Sequence, residues 1–275
     1  MATAGSAVGL GNLWGFAYRA SSGGGAVFVV LFIAIIVTIC MPALIAEMVM
    51  GRSTGQSPLL APQTIGGKRW APMGWWLMLN CLGILSYYSV IMGWTLNSIW
   101  MAAAGDLPIG IEAATSNFQQ ISSGSSSLFG HLASIALAGI VVSAGIKAGI
   151  ERLSLYGIPL LFVMLIGLMA WAGSLPNAMD GYRDFLLKWD ASKFLDITTL
   201  RNAFTQAFFS LGIGVGVISA YASYLNKSNP LPKEAGWVAG MDTSVGLMAG
   251  CVTFPLVASA GLQSVISDSN VGSLF

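Results

Sequence analysis

Seven stretches of this chain are apolar over lengths that a soluble fold rarely needs. They run over about 2–20, 26–50, 74–104, 131–147, 154–175, 201–225 and 236–262. Crossing ~30 Å of hydrocarbon at ~1.5 Å per residue takes ~20 residues of helix, and most of the seven reach that length. Inside a bilayer every backbone N–H and C=O needs a partner within the structure, so only helices and closed barrels can span it. These are continuous runs, not ten-residue alternations, and a barrel is excluded. Only 8% of the residues are charged, where a soluble domain carries about 25%. The chain reads as an all-α polytopic membrane protein.

The remaining composition removes other classes. A net charge of +1 with no basic run gives nucleic acid no footing. Cys40, Cys81 and Cys251 all fall inside apolar spans, which argues against a disulfide framework or a zinc site. His131 is the single histidine and opens a span after a Ser/Gly loop, an interfacial position, so a metalloenzyme has no ligand set and no enzyme is expected. No basic region or small-residue cleavage site frames the N-terminus as a secretory signal.

Orientation follows from the Lys/Arg bias of short loops. With the N-terminus in the cytoplasm, loops 51–73 (Arg52, Lys68, Arg69), 147–153 (Lys147, Arg152) and 226–235 (Lys227, Lys233) are cytoplasmic. On the other side, 105–130 holds Asp106 and Glu112 and neither Lys nor Arg. The loop 176–200 mixes signs, and its "FLLKWDASKFLD" has the pattern of a short amphipathic helix on the outer surface. Ser122–Ser127 is expected to be a small flexible tract. Trp70, Trp75, Trp76, Trp100 and Trp237 lie near span ends, where an interfacial belt places them.

Two carboxylates, Glu47 and Asp242, fall inside spans. Each costs ~2.5–3.5 kcal/mol at mid-membrane, so each needs a partner or a water-filled cavity. They are either structural anchors between helices or parts of a site. Glycine spacing raises the same choice. Gly11 with Gly15, and Gly212 with Gly216, are GxxxG pairs, which by default mean close helix packing. That reading leaves Asn12, Ser210 and the local glycine density unexplained. A helix interrupted at these points explains them: freed carbonyls hold a cation and freed amides face an anion, as in transporters built on broken helices.

The stretches "AVGLGNLWGF" with "SSGGGAVF", then "AEMVMGRSTGQSP", "SYYSVIMGWTL", "QAFFSLGIGVGVISAYASY" and "GMDTSVGLMAG" carry a resemblance to the neurotransmitter:sodium symporter family, in its bacterial amino-acid-transporting branch. They cover essentially the whole chain in family order. The broken-helix pattern is itself drawn from that fold. The resemblance implies a leucine-transporter-type architecture of twelve spans, with spans 1–5 and 6–10 as inverted repeats and spans 1 and 6 discontinuous. Residues 1–175 would then be the first repeat with its opening span cut short, 176–200 an extracellular loop, and 201–275 the start of the second repeat. About seven of twelve spans are expected here, and the chain looks like an incomplete transporter.

Carried over by position, the resemblance places a first sodium site on the Ala7 carbonyl, the Asn12 side chain, Ser210 and Asp242. A second would use the carbonyls of Gly5 and Val8, its other ligands coming from a span beyond this chain. The substrate carboxylate would meet the amides of Leu10 and Gly11 and the Tyr88 hydroxyl. Ile84, Phe209, Gly212 and Val215 would line the side-chain pocket, with Phe209 as its lid. Gly9 stands where monoamine carriers place an aspartate, which favours an amino acid with its own carboxylate. Asp242 stands where chloride-dependent members place asparagine, and Gly246 has no hydroxyl for a halide. Gly15 departs from the family, which has a gating arginine there. Arg19, one turn further out, is the candidate replacement, and Glu47 is a second candidate for gating or coupling.

The implied activity is chloride-independent symport of a neutral, hydrophobic amino acid with Na+, by alternating access, across the cytoplasmic (inner) membrane. Expected partners are the amino acid, sodium ions and the lipid bilayer. The alternative is a truncated membrane protein without transport of its own, structural or associating with other subunits. Residues 1–275 expressed alone are expected to insert without driving uptake.

Overall fold

A computed structural model describes residues 5, 7–9, 11–226 and 228–261. Among the expected site residues, Leu10 lies outside the described residues. A π-turn, Gly11–Gly15, leads into α1 (Phe16–Ser22). Helix α2 (Ala26–Ile35) continues through a second π-turn (Ile36–Cys40) into α3 (Met41–Thr54). Then come α4 (Ala61–Gly66), α5 (Ala71–Ala104), α6 (Ile111–Ser122) and α7 (Gly124–Ser143). A π-turn at Ile146–Glu151 opens α8 (Arg152–Gly173), and α9 (Ala178–Tyr182) runs on into another at Arg183–Leu187. Last are α10 (Ile197–Leu211), α11 (Val217–Ala222) and α12 (Leu231–Ala260). Among the described residues the only extended pairing is a bridge between Gly25 and Trp189.

Among the described residues, five helical runs are long and apolar enough to cross a bilayer: Ala26–Thr54, Lys68–Ala104, Gly124–Ser143, Ile146–Gly173 and Leu231–Ala260. The sixth of the seven apolar segments falls short of that length because it is broken, and in the first the described residues Val8 and Gly9 are not helical.

The break in the sixth is built by local chemistry. Asp196 caps α10, its Oδ2 accepting at 2.9 Å from both the Thr199 amide and the Thr199 hydroxyl. These bonds, the amide's first, hold the Asp196 carboxyl below the usual range. At the other end Gly212 takes φ 65°, ψ 28°, with its amide on Phe209 O and the Ile213 amide on Phe208 O, both at 3.2 Å. That is a Schellman stop. Gly214 (φ 82°) and Gly216 (φ 89°) keep the chain in left-handed conformations until α11 starts, a region that costs other residues ~1–2 kcal/mol each.

Two expectations for the loops are corrected. The stretch 105–130 is helical over α6 and again from Gly124, so the serine tract is not a flexible linker. Ser123 is the extended junction, and Ser125–Ser127 fall in the first turn of α7, where short polar side chains suit amides that lack intrahelical acceptors. "FLLKWDASKFLD" is not one helix. It ends a π-turn at Leu187, bridges through Trp189, and folds Asp190 onto the Ser192 amide at 3.0 Å to start a short 3₁₀ turn.

Contacts divide the chain into two compact units. One comprises the residues up to Met78 and those from Ser154; the other is Leu79–Leu153. The first has an aromatic centre, with Phe16 edge-on to Phe28, Phe32 and Phe185 at 5.6, 5.1 and 6.2 Å. Phe185 also stacks on Phe254 at 4.8 Å. Such ring pairs add ~0.5–1.5 kcal/mol each to the burial. Helix α12 makes room for them with small residues. A Cβ on Gly250 would lie 2.3 Å from the Phe185 ring, and one on Gly246 3.2 Å from that of Phe16. Helix α3 meets the backbone of α11 through Gly51, where a Cβ would sit 2.1 Å from Ser219 O. In the second unit α5 crosses α7 where Gly93 faces Gly130, and Ser134 Oγ donates to Ser89 O at 2.6 Å.

Candidate functional site

Asn12, Ser210 and Asp242 come from three elements far apart in the chain: the first π-turn, the last turn of α10 and the second quarter of α12. All three are buried, Asp242 completely. Asn12 Nδ2 donates to Ser210 Oγ at 2.8 Å, to Asp242 Oδ1 at 2.6 Å and to the Asp242 carbonyl at 3.1 Å. Ser210 Oγ lies 2.9 and 2.8 Å from the two Asp242 carboxylate oxygens. The other end of the Asn12 amide, Oδ1, accepts from the Gly9 N–H at 3.1 Å and ties the broken segment to itself.

Protons are short at this junction. One NH2 and one hydroxyl supply three protons to a carboxylate, a carbonyl and a hydroxyl oxygen, and the carboxylate brings a net negative charge into an apolar bundle. Turning the Asn12 amide over would replace the NH2 by a further oxygen, at the cost of the bond its Oδ1 accepts from the Gly9 N–H. The donors are then all hard oxygens around a single negative charge. That set fits a small monovalent cation better than a divalent one, which draws on several carboxylates.

Glu47 does something different. Its Oε2 accepts from the Gly214 amide at 3.0 Å and its Oε1 from the Gly216 amide at 3.1 Å. The carboxylate therefore anchors α3 to the interruption in the sixth segment and satisfies two amides that the left-handed glycines leave without helical acceptors.

Other expected residues scatter more widely. Ala7 is buried and Val8 and Gly9 are half-buried in the segment before Asn12. Gly5 lies against α8, where a Cβ would approach Ser154 Oγ to 2.8 Å. Gly212 and Val215 sit in the interruption, and Phe209, just before it, is 43% exposed. Ile84 and Tyr88, one turn apart on α5, belong to the second unit. Arg19 is not in the polar cluster; its Nη1 donates to Gln206 Oε1.

Gln206 was not expected. It is completely buried, and its Nε2 donates to the Gly11 carbonyl at 3.1 Å. The signal available in the sequence was its place one turn before Ser210, on the same face of α10.

Known proteins match the chain throughout. A family model described as the Sodium:neurotransmitter symporter family covers residues 1–127 and 115–271. An uncharacterized sodium-dependent transporter of Bacillus subtilis is 36% identical over 96% of this chain and 58% of its own length. A sodium-dependent nutrient amino acid transporter of Drosophila grimshawi is 25% identical over 92% of the chain and 47% of its own. The chain thus spans roughly half to three-fifths of such relatives. The crystal structure of MhsT in complex with L-phenylalanine superposes with a TM-score of 0.88 at 34% identity, covering 98% of this chain and 61% of that one. Two interrupted helices meeting at an oxygen-rich junction, in this architecture and with these matches, place the chain in the sodium:neurotransmitter symporter family.

Proposed function

We propose that the protein carrying this chain is a sodium-coupled symporter of a neutral, hydrophobic amino acid, working by alternating access in the cytoplasmic membrane with its N-terminus inside. The observation that carries the reading is the buried Asp242 carboxylate, whose oxygens and the Ser210 hydroxyl outnumber the protons that Asn12 and Ser210 supply to them. Sodium as cargo would take these groups together with the Ala7 carbonyl. A second ion would use the carbonyls of Gly5 and Val8 and ligands from the rest of the protein. Residues 1–175 would form one repeat and the segment from 201 the start of its inverted partner.

The amino acid's carboxylate would meet the amides of Leu10 and Gly11 and the Tyr88 hydroxyl, with Ile84, Phe209, Gly212 and Val215 around its side chain. These offer apolar surface and glycine backbone only, so a charged side chain would be desolvated without a partner. The phenylalanine held by MhsT and the amino-acid transport named for the Drosophila relative point the same way.

Chloride is dispensable in this reading. Asp242 supplies a fixed negative charge, and the space beside Gly246 is filled by the Phe16 ring. Uptake of labelled leucine or phenylalanine into proteoliposomes should therefore require an inward sodium gradient and be unchanged when gluconate replaces chloride. Loss of most uptake in gluconate would refute chloride independence. Competition by lysine or glutamate with none by leucine or tryptophan would refute the substrate class.

A further inference from the structure

We propose that Arg19 is a positioning residue for the cation site, acting through Gln206, and that Gly15 lacks a side chain so that the guanidinium can lie over it. The proposal rests on the sodium-symport reading and adds a residue network to it. Gly15 is buried in the first π-turn. A Cβ there would stand 3.1 Å from Arg19 Nη1 and 3.3 Å from Gln206 Oε1, tighter than ordinary contact with both heads of one hydrogen bond. Arginine and glutamine therefore meet directly above the glycine.

Gln206 works in two directions. Its oxygen accepts from the Arg19 guanidinium, and its nitrogen donates to the Gly11 carbonyl. The Gly11 carbonyl belongs to the peptide that carries the Asn12 amide nitrogen, so holding it sets the plane from which the Asn12 side chain reaches Ser210 and Asp242. A charged donor on an amide oxygen polarises the amide and strengthens what its N–H groups give. Gln206 is also one turn before Ser210 on α10, so the same residue fixes both walls of the junction.

Two effects of Arg19 on a cation oppose each other. Its positive charge repels the ion, while the network it anchors orients the ion's ligands. The charge is spent on a neutral amide one residue away from the cluster, and the orientation is direct, so positioning dominates and removing Arg19 weakens sodium binding.

The test compares full-length transporters carrying Gly15→Ala, Arg19→Gln, Arg19→Lys and Gln206→Glu, with sodium titrated in proteoliposome uptake. Gln206→Glu keeps an acceptor for Arg19 and loses the donor to Gly11. Loss of the charge-assisted link in Gly15→Ala and Arg19→Gln, and of the donor to Gly11 in Gln206→Glu, predicts a roughly tenfold rise in half-saturating sodium, with the maximal rate recovered at high sodium. Arg19→Lys should fall between these and the parent, and it serves if Gly15→Ala does not assemble. Unchanged sodium dependence in Gln206→Glu, or tighter sodium binding in Arg19→Gln, overturns the proposal while leaving symport intact. A parent protein without sodium dependence overturns both.

Discussion

At the scale of single residues, the junction of Asn12, Ser210 and Asp242 is held by bonds that share partners, so no member can be removed alone. Ser210→Ala takes a hydroxyl from the reach of both Asn12 and the Asp242 carboxylate. A buried charge deprived of a donor costs ~1–3 kcal/mol, in stability as well as in ion affinity. The variant should melt at a lower temperature in detergent, and the deficit should widen when sodium is added, because a ligand stabilises the folded state in proportion to its affinity and the parent binds the ion more tightly. A melting curve that sodium does not move, in parent and variant alike, would separate this cluster from any ion. The amide of Gln206 shows the limit of reading residues from the sequence. A glutamine in an apolar run announces that it needs partners, but the partners, a carbonyl 195 residues earlier and an arginine 187 residues earlier, exist only once the helices are packed.

At the scale of elements, the interruption between α10 and α11 gives a graded test of how much its glycines matter. Gly212 has φ 65° with open space around a would-be Cβ, whereas at Gly216, with φ 89°, a Cβ would lie 2.9 Å from Pro58 Cβ. Gly212→Ala should then cost only the backbone penalty of ~1 kcal/mol, and Gly216→Ala distinctly more, because strain and a clash add. Equal melting temperatures for the two variants would contradict the geometry. The two interrupted helices were legible from glycine density combined with Asn12 and Ser210, since a packing motif alone has no use for those polar groups. Helix α6 and the early start of α7 were not legible. A polar, serine-containing stretch has the composition of a loop, and only the extended Ser123 between two helices separates it into elements. Similarly, Glu47 advertised a need for partners, but capping of left-handed glycine amides across 167 residues leaves no periodic trace.

At the scale of the whole molecule, five of the seven apolar segments coincide with described helices long enough to cross a bilayer, which tolerates few alternatives, and the Lys/Arg asymmetry of the loops predicts an orientation. A cysteine placed at Glu112 should react with an impermeant maleimide added outside intact cells, and one placed at Lys68 only after the membrane is opened; the reverse pattern would invert the topology. The Asn12–Asp242 bond spans 230 residues, and this has a consequence in time. At ~5–20 residues per second, Asn12 leaves the ribosome roughly 10–50 s before its last partner does. During that wait the first segment can be steadied by Phe16 against Phe28 and Phe32, whose rings are made within the next few seconds. Gln206 arrives next, then Ser210, and Asp242 last. The order of synthesis thus leaves the neutral amide waiting and brings the deeply buried charge in only when its donors already exist. Glu47, the carboxylate that must wait, lies within two turns of the end of α3.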